Sequence, residues 1–526
     1  MLTFTKLGKF GRFGNQLFQI AAMIGIAKKY GHKLVLPKWQ YAKYFNFTIE
    51  EGHITSNLER REPYFHYCEN LDIPERGIYD LTGYFQSDKY WLNAKEDVIK
   101  NLSFKNDFIT GINEKHKNKL SRNPIAISIR RGDYVNNPNY ELLPIEYYIL
   151  ALFEHFPDWK TRDILIFSDD VKYCRTHFEC FDNFHVIDNA FNNNDKRLYF
   201  SENTSAIEQL ALMSLCNDFI ISNSTFAWWG AYLGQTKRCN AKVVYPDKYA
   251  KGKLDEQIYF KDHYPEHWTK FVHKNKRIDL KNVTFTIPVH HDHQDRFQNL
   301  SLNICMLLQY FDTNVIIGEQ GSDKFKVFEN WCKYVKFNDY EFHRTKMLNI
   351  MANESVTPII VNYDADVFLP PMQILKAVFE LESNDMVFPY DGRFARVARS
   401  EFKRIENLLD IGCLSYNEWP GTSMNDAMSV GGCVFFNKKA FFEGGGENEK
   451  FVSYGPEDAE RVERFSKAGF KIKKVKGILF HIDHYRGPNS LTYHKHFKAN
   501  EDEFKRIKAM NKEGIINYIK NMKHAK

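Results

Sequence analysis

The sequence predicts an α/β protein built from two modules, and three observations carry that reading. Short apolar runs rich in β-formers alternate with helical patterns along both halves of the chain. Several of these runs end in polar loops, a combination that argues a parallel sheet. Between the halves, residues 258–282 are aromatic, charged and aperiodic, which marks a linker, and a fresh strand pattern, "VTFTIPV", follows at once.

In the first half, "FGNQLFQIAAMIGIAKKYG" predicts a helix stopped by Gly31. "HKLVLP", "PIAISIR", "ILIFSDD", "DFIISNS" and "KVVYP" read as strands. In the second half "TNVIIGE", "PIIVNYDADVF" and "DMVFPY" read as strands with helices between them. The final stretch, within residues 496–526, reads as one basic amphipathic helix. It is either a solvated surface helix or a peripheral contact with an anionic inner membrane surface.

Composition narrows the classes. The 526 residues fit two to four domains. Net charge is +6, too weak to imply nucleic acid but suited to anionic small ligands. Mean hydropathy is −0.49, no apolar run reaches the ~18 residues of a membrane span, and the N-terminus lacks the shape of a signal peptide. A cytoplasmic protein is expected. The nine cysteines are scattered with no C-x-x-C pair, which reads as reduced thiols.

Three stretches of the first half carry chemistry. In "GKFGRFGNQLFQIAA", residues 8–22, three glycines frame Arg12 and Asn15 just before a helix start, where backbone N–H groups can take an anion; a structural turn is the other reading. "ISIRRGDYV" brings Arg130 and Arg131 off a strand. One could clamp a diphosphate while the other pairs with Asp133, or both could serve structural ion pairs. In "FIISNSTFAWWGAYLG", Ser222, Asn223 and Ser224 precede a helix and suit phosphate, while Trp228 and Trp229 read as packing.

The second half has its own set. In "IIVNYDADVFLPP", Asp364 and Asp366 stand two apart, on one face if the strand stays extended, and can hold Mn²⁺ or Mg²⁺. Glu457 and Asp458 open a helix in "YGPEDAERVERF", as a helix-start charge pair or as acceptor-orienting group and general base. His481 and His484 in "LFHIDHYRGPNS" are surface histidines or complete the metal site with Asp366.

Taken in order, "GRFGNQLFQIA", "IRRGDYV" and "SNSTFAWWGAYL" resemble the alpha-1,2-fucosyltransferase family over residues 1–270. The resemblance implies a GT-B-like fold of two Rossmann-like lobes, GDP-fucose as donor, inversion, and no metal. It places Asn15 towards the sugar, Arg130 on the diphosphate with Arg131 and Asp133 beside it, and Ser222, Asn223 and Ser224 on phosphate or fucose. Ser128 stands where the family usually has a His.

"TFTIPV…QDRFQNL", "FHRTKMLNIM", "NYDADVFLP", "GGCVFFNKKAFFEGGGENEKFVSYGPEDAE" and "HYRGPNS" resemble, over residues 283–495, the beta-1,4-galactosyltransferase-like group and bacterial galactosyl- and GalNAc-transferases. This implies a single GT-A-like domain using UDP-Gal or UDP-GalNAc. Arg344, Asp364 and Gly432 would meet the UDP-sugar, Asp366, His481 and His484 would hold Mn²⁺ or Mg²⁺, and Asp458 with Glu457 would be catalytic. Ser429 falls where some relatives carry a bulky Tyr, leaving room for an N-acetyl group. The loop "HHDHQD" replaces an Arg-rich one. Together the resemblances imply a bifunctional glycosyltransferase acting on an oligosaccharide acceptor, free or lipid-linked, in surface glycan or O-antigen synthesis. The alternative is one active transferase fused to a glycan-binding domain.

Overall fold

Phe13–Tyr30 forms the first long helix because its apolar residues recur at helical spacing, and Gly31, in the left-handed region at φ 69°, ends it. The computed structural model that shows this describes residues 1–56, 58–188, 204–414, 423–425, 428–487 and 494–522. The chain divides into two compact units, one made of Met1–Val171 with Asn183–Asn275, the other of Lys172–Asp182 with Lys276–Lys526. Both are mixed α/β with sheets of parallel strands.

The first unit holds a small parallel sheet, Leu2–Thr3, Tyr79–Thr82 and Leu58–Arg61 in spatial order. Its larger sheet has six strands, all parallel: Thr269–Phe271, Val243–Pro246, Asp218–Ile220, Ile125–Ile129, Ile164–Ser168 and Phe184–Val186. The central strands Ile125–Ile129 and Ile164–Ser168 are buried along their whole length, so they read as near-continuous apolar runs rather than alternating ones. Trp228 and Trp229 are fully buried, and with Phe18 and Trp91 they form the aromatic centre of the core (Phe18–Trp228 4.6 Å, Trp91–Trp229 5.7 Å between centroids).

The second unit has a seven-stranded sheet in the order Lys333–Phe337, Phe311–Gln320, Ile278–His290, Ile359–Tyr363, Cys433–Asn437, Met386–Phe388, Ile472–Lys474. The first four are mutually parallel, and Cys433–Asn437 runs against both neighbours. A second sheet orders Val367–Phe368, Ile478–Ile482, Arg393–Val397 and Ser423–Asn425.

Three expectations change. The segment read as a linker is ordered: Thr269–Phe271 adds the edge strand to the first unit, and the first long strand of the second begins at Ile278. "NYDADVF" is not one strand; Ile359–Tyr363 stops, Asp364–Asp366 turns, and Val367–Phe368 starts a strand of the other sheet. The basic C-terminal stretch is two helices, Phe497–Lys508 and Lys512–Lys520, with Asn511 capping the second through its side chain. Ile507, Ile515 and Ile519 are buried with Ala468, Met510 and Tyr518 against them. Their apolar face therefore packs within the second unit; residues 523–526 lie outside the described residues. No helix among the described residues is long and apolar enough to cross a membrane, and all nine cysteines are free thiols.

Ile507→Ala should cost about 2–5 kcal/mol through the cavity it leaves. Urea denaturation of the full chain measures this; an unchanged midpoint would mean that the C-terminal helices do not share the core.

Candidate functional site

In the first unit the polar loops follow the carboxyl ends of parallel strands, where α/β sheets place their ligands. Two helix N-termini meet there. Gly14, in the first turn of Phe13–Tyr30, lies so close to the start of Thr225–Lys237 that a Cβ would sit 2.7 Å from the Phe226 backbone nitrogen. Gly11 has φ +80°, and a Cβ there would strike Asn15. The glycine loop thus brings backbone N–H groups of two helices together, both with the positive end of the dipole inward.

Arg130 and Arg12 stand by these termini. Asp133 bridges them, and Arg130 also pairs with Asp169. Burial opposes ionisation of Asp133, but Arg130 and Arg12 outweigh it and hold its carboxyl below the usual range. Arg131 is buried, pairs with Asp170 (3.3 Å) and donates its backbone N–H to Asp169 (2.8 Å), so it shapes the loop, and the partner of Asp133 is Arg130. Asn15 is half-buried and accepts a bond from Gln86 (3.0 Å).

Ser222 and Asn223 have no exposed surface. Asn223 Nδ2 donates to the carbonyls of Glu141 (2.9 Å) and Tyr249 (2.7 Å). Of the three residues expected to face phosphate, only Ser224 is partly exposed, at the N-cap of Thr225–Lys237. Asn223 sits behind the loop because backbone carbonyls there need partners, and Ser222 is buried beside it. Sequence reasoning also passed over Glu62. Its Oε2 accepts from the Tyr84 and Phe85 N–H groups (2.8 and 2.9 Å), fixing the turn that carries Gln86, and burial pushes its pKa up to about 7.

The second unit gathers a denser set. Val367 pairs with His481 in antiparallel register, and Ile482 N–H donates to Asp366 O (3.0 Å), so strand pairing alone brings Asp366 beside the histidines. Asp366 lies 2.8 Å from His484 Nε2 and 3.6 Å from His481 Nε2. The three offer ligand atoms within 4.8 Å of one another. His484 Nδ1 lies 2.6 Å from the Tyr485 carbonyl, a contact that leaves Nε2 to face Asp366. Burial disfavours the charged Asp366, but His481, His484 and Arg296 hold its pKa well below the ordinary range. One carboxylate and two imidazoles suit a divalent transition-metal ion. Among the described residues no other His, Cys, Asp and Glu side chains gather in this way.

Asp364 faces elsewhere. Its Oδ1 takes Arg344 Nη2 (2.8 Å) and Nε (3.2 Å), and its N–H donates to the Gly432 carbonyl (2.8 Å). The expectation that Asp364 and Asp366 share a face fails because the turn gives each its own partners. Arg344 also reaches Asp458 (3.4 Å) and Glu457 (3.9 Å). Asp458 is further held by Arg461 Nη2 (2.8 Å), whose Nη1 pairs with Glu447 (2.7 Å). Burial raises the pKa of Asp458, but Arg344 and Arg461 more than offset it. Glu457 has no such partner on Oε2, and burial with the nearby Asp458 charge pushes it up to about 8. Gly431 lets Asp458 approach, since a Cβ would sit 2.5 Å from Asp458 Oδ2. Asp366, His481 and His484 thus form one set of short contacts and Arg344 with Asp364, Glu457 and Asp458 a second, joined through the Asp364–Asp366 turn. Arg296, Arg461 and Glu447 were missed. Arg296 stood in the quoted "QDRFQNL" run, while the pairing of Arg461 and Glu447 spans 14 residues without a motif. Residues 488–490 of the histidine motif lie outside the described residues.

Sheet-edge loops with converging helix termini, and a carboxylate–arginine–imidazole cluster at strand ends, define a glycosyltransferase when set beside known proteins. The family described as "Glycosyl transferase family 11" matches residues 3–271, just over half of the chain, and the chain belongs to that family. A second family, described as "N-terminal domain of galactosyltransferase", matches residues 420–487. The chain is similar to an O-antigen biosynthesis glycosyltransferase, WbnK, of Escherichia coli, at 31% identity over 37% of this chain and 63% of the relative. It is also similar to an alpha-1,2-colitosyltransferase of Escherichia coli (27%, over 32% and 55%) and to galactoside alpha-(1,2)-fucosyltransferase 2 of Sus scrofa (24%, over 42% and 67%). The matches thus span about three fifths of these relatives' length.

Arg461→Met leaves Glu447 buried beside Asn362 without its charge partner, and should destabilise the chain by about 3–5 kcal/mol. Calorimetric melting at neutral pH checks it; a variant as stable as the parent would mean that the Arg461–Glu447 pair is not buried as described.

Proposed function

We propose that the chain is a bifunctional glycosyltransferase. The first unit, a GT-B-like pair of lobes over residues 1–270, transfers fucose from GDP-fucose to the 2-hydroxyl of galactose without a metal. The second, GT-A-like over residues 283–495, transfers Gal or GalNAc from a UDP-sugar with inversion and a divalent cation. The observation that carries this reading is that each unit has its own anion-binding machinery, helix termini with Arg12 and Arg130 in one and Arg344 beside the Asp–His cluster in the other.

In the first unit, Arg130 and the helix N-termini receive the diphosphate, Ser224 and Asn15 contact the donor, and Asp133 sets the arginines. Stabilising the leaving GDP supplies much of the rate, since an Arg-paired Asp133 is a poor base. A colitosyl donor is a second reading, supported by the relative that bears that name.

In the second unit, Asp366, His481 and His484 would hold Mn²⁺ or Mg²⁺, which neutralises charge on the departing diphosphate. Arg344 is the group for which an incoming diphosphate competes with Asp364 and Asp458. Its withdrawal towards phosphate removes one of the two arginines on Asp458 and leaves Arg461, which raises the basicity of Asp458 as it takes the proton of the acceptor hydroxyl while that oxygen attacks the anomeric carbon and UDP leaves. Glu457 orients the acceptor. Ser429, small and beside Tyr390 (3.4 Å), supports UDP-GalNAc as well as UDP-Gal. Two transferases in one chain suit successive steps on one surface glycan.

Nucleotide release from a panel of GDP- and UDP-sugars with galactose-ended acceptors tests the reading. GDP release should survive EDTA and UDP release should not. Release of only one nucleotide would reduce the silent unit to a glycan-binding domain. Arg130→Ala should abolish GDP release and leave UDP release intact; equal loss of both contradicts two separate sites. Asp458→Asn should slow the second reaction about 10²–10⁴-fold with UDP binding retained, and unimpaired turnover would remove Asp458 as base.

A further inference from the structure

The first unit exposes aromatic rings where a sheet-edge loop would otherwise be polar. Tyr64 and His66 follow the carboxyl end of Leu58–Arg61, and their rings stack at 5.0 Å and 12°. Tyr259, distant in sequence, meets His66 edge-on at 5.8 Å. Tyr64 is 59% and Tyr259 62% exposed, so two large rings are left in water although buried neighbours lie close by. Contiguous exposed aromatic surface is costly to keep and marks a binding site.

The cluster is tied to the donor loops. Beneath it, Phe65 packs on Phe260 (4.7 Å) and Phe260 on Tyr249 (4.5 Å). Tyr249 offers its carbonyl to Asn223, in the loop that ends at Ser224. Tyr249 also meets Tyr140 (6.4 Å), Tyr140 stacks on Tyr134 (4.7 Å, 10°), and Arg130 lies over the Tyr134 ring (5.4 Å). A run of rings therefore leads from the arginine expected to hold the diphosphate to Phe65 and Phe260, the chain neighbours of the exposed rings.

We propose that Tyr64, His66 and Tyr259 form the acceptor platform of the first unit, binding the sugar next to the galactose that receives the transfer; this rests on the reading of that unit as a galactoside-modifying transferase. A pyranose presents a face of C–H bonds and a rim of hydroxyls, and an aromatic ring matches the face while water keeps the rim. Placed several rings from Arg130, the platform meets the second sugar of the acceptor rather than the reacting one. The unit is thereby selective for β-galactosyl disaccharides over a lone galactoside. An apolar protein partner would use the same rings, and the test separates the two.

The test compares KM for N-acetyllactosamine, for methyl β-galactoside and for the sugar nucleotide in the full chain, in Tyr64→Ala, in Tyr259→Ala and in Tyr64→Phe. The parent should favour the disaccharide. Each alanine variant should raise the disaccharide KM about tenfold, the scale of one or two ring contacts, with the other two KM values unchanged, and Tyr64→Phe should keep the parent value. An unchanged disaccharide KM, a parent without the preference, or a parallel rise in all three KM values overturns the proposal. If the parent transfers to neither sugar, the transferase reading fails instead. The platform is then read by titrating N-acetyllactosamine against intrinsic fluorescence: binding lost in the alanine variants supports it, and absent or unchanged binding overturns it.

Discussion

Buried carboxylates cannot stay charged without cations beside them, and that constraint organises the second unit. There Arg344 and Arg461 stand among Asp364, Glu447, Glu457 and Asp458; Arg344 reaches three of these acids and Arg461 bridges two. Isolated burial of any of these ions would cost several kcal/mol. The strands, the turn at Asp364–Asp366 and the helix starting at Glu457 are arranged so that each acid there has an arginine within reach, the longest of these contacts being that of Glu457, where burial and the nearby Asp458 charge outweigh Arg344 and raise the pKa. The first unit repeats the device on a smaller scale, with Asp133 shared by Arg12 and Arg130.

Such networks leave the arginines poised rather than spent. A diphosphate offers the same bidentate oxygens as a carboxylate and carries more charge. An arginine held by carboxylates at a sheet edge can exchange one oxyanion for another without passing through a bare, desolvated cation. In the first unit the two helix termini add to this without charge of their own, and Gly14 is required because any side chain would hold those termini apart.

Periodicity made the long helices and the apolar strands legible, since Phe13–Tyr30 and Ile125–Ile129 are decided by local pattern and burial. What was not legible depends on partners far along the chain. "NYDADVF" scans as one strand, but the Gly432 carbonyl takes Asp364 N–H while Val367 joins His481, and those distant bonds split it. Thr269–Phe271 is too short to leave a periodic signal and exists because it completes the edge beside Val243–Pro246. Asn511 could have announced the break in the C-terminal stretch, as an N-cap residue inside an otherwise helical run. For the sites, residue types and spacing pointed to Asp366, His484, Asp458 and Arg130. The same pattern gave no means of separating Arg131 and Asn223, which hold loops together, from residues that face open space.

Two nucleotide sites of different charge logic, one served by arginines and helix termini and the other by an arginine near the Asp–His cluster, would answer differently to a divalent ion. Calorimetric titration of GDP and of UDP into the full chain, each with and without Mn²⁺, measures that difference directly. The account predicts that Mn²⁺ strengthens UDP binding and leaves GDP binding unchanged. Equal response of both nucleotides to Mn²⁺, or of neither, would contradict it.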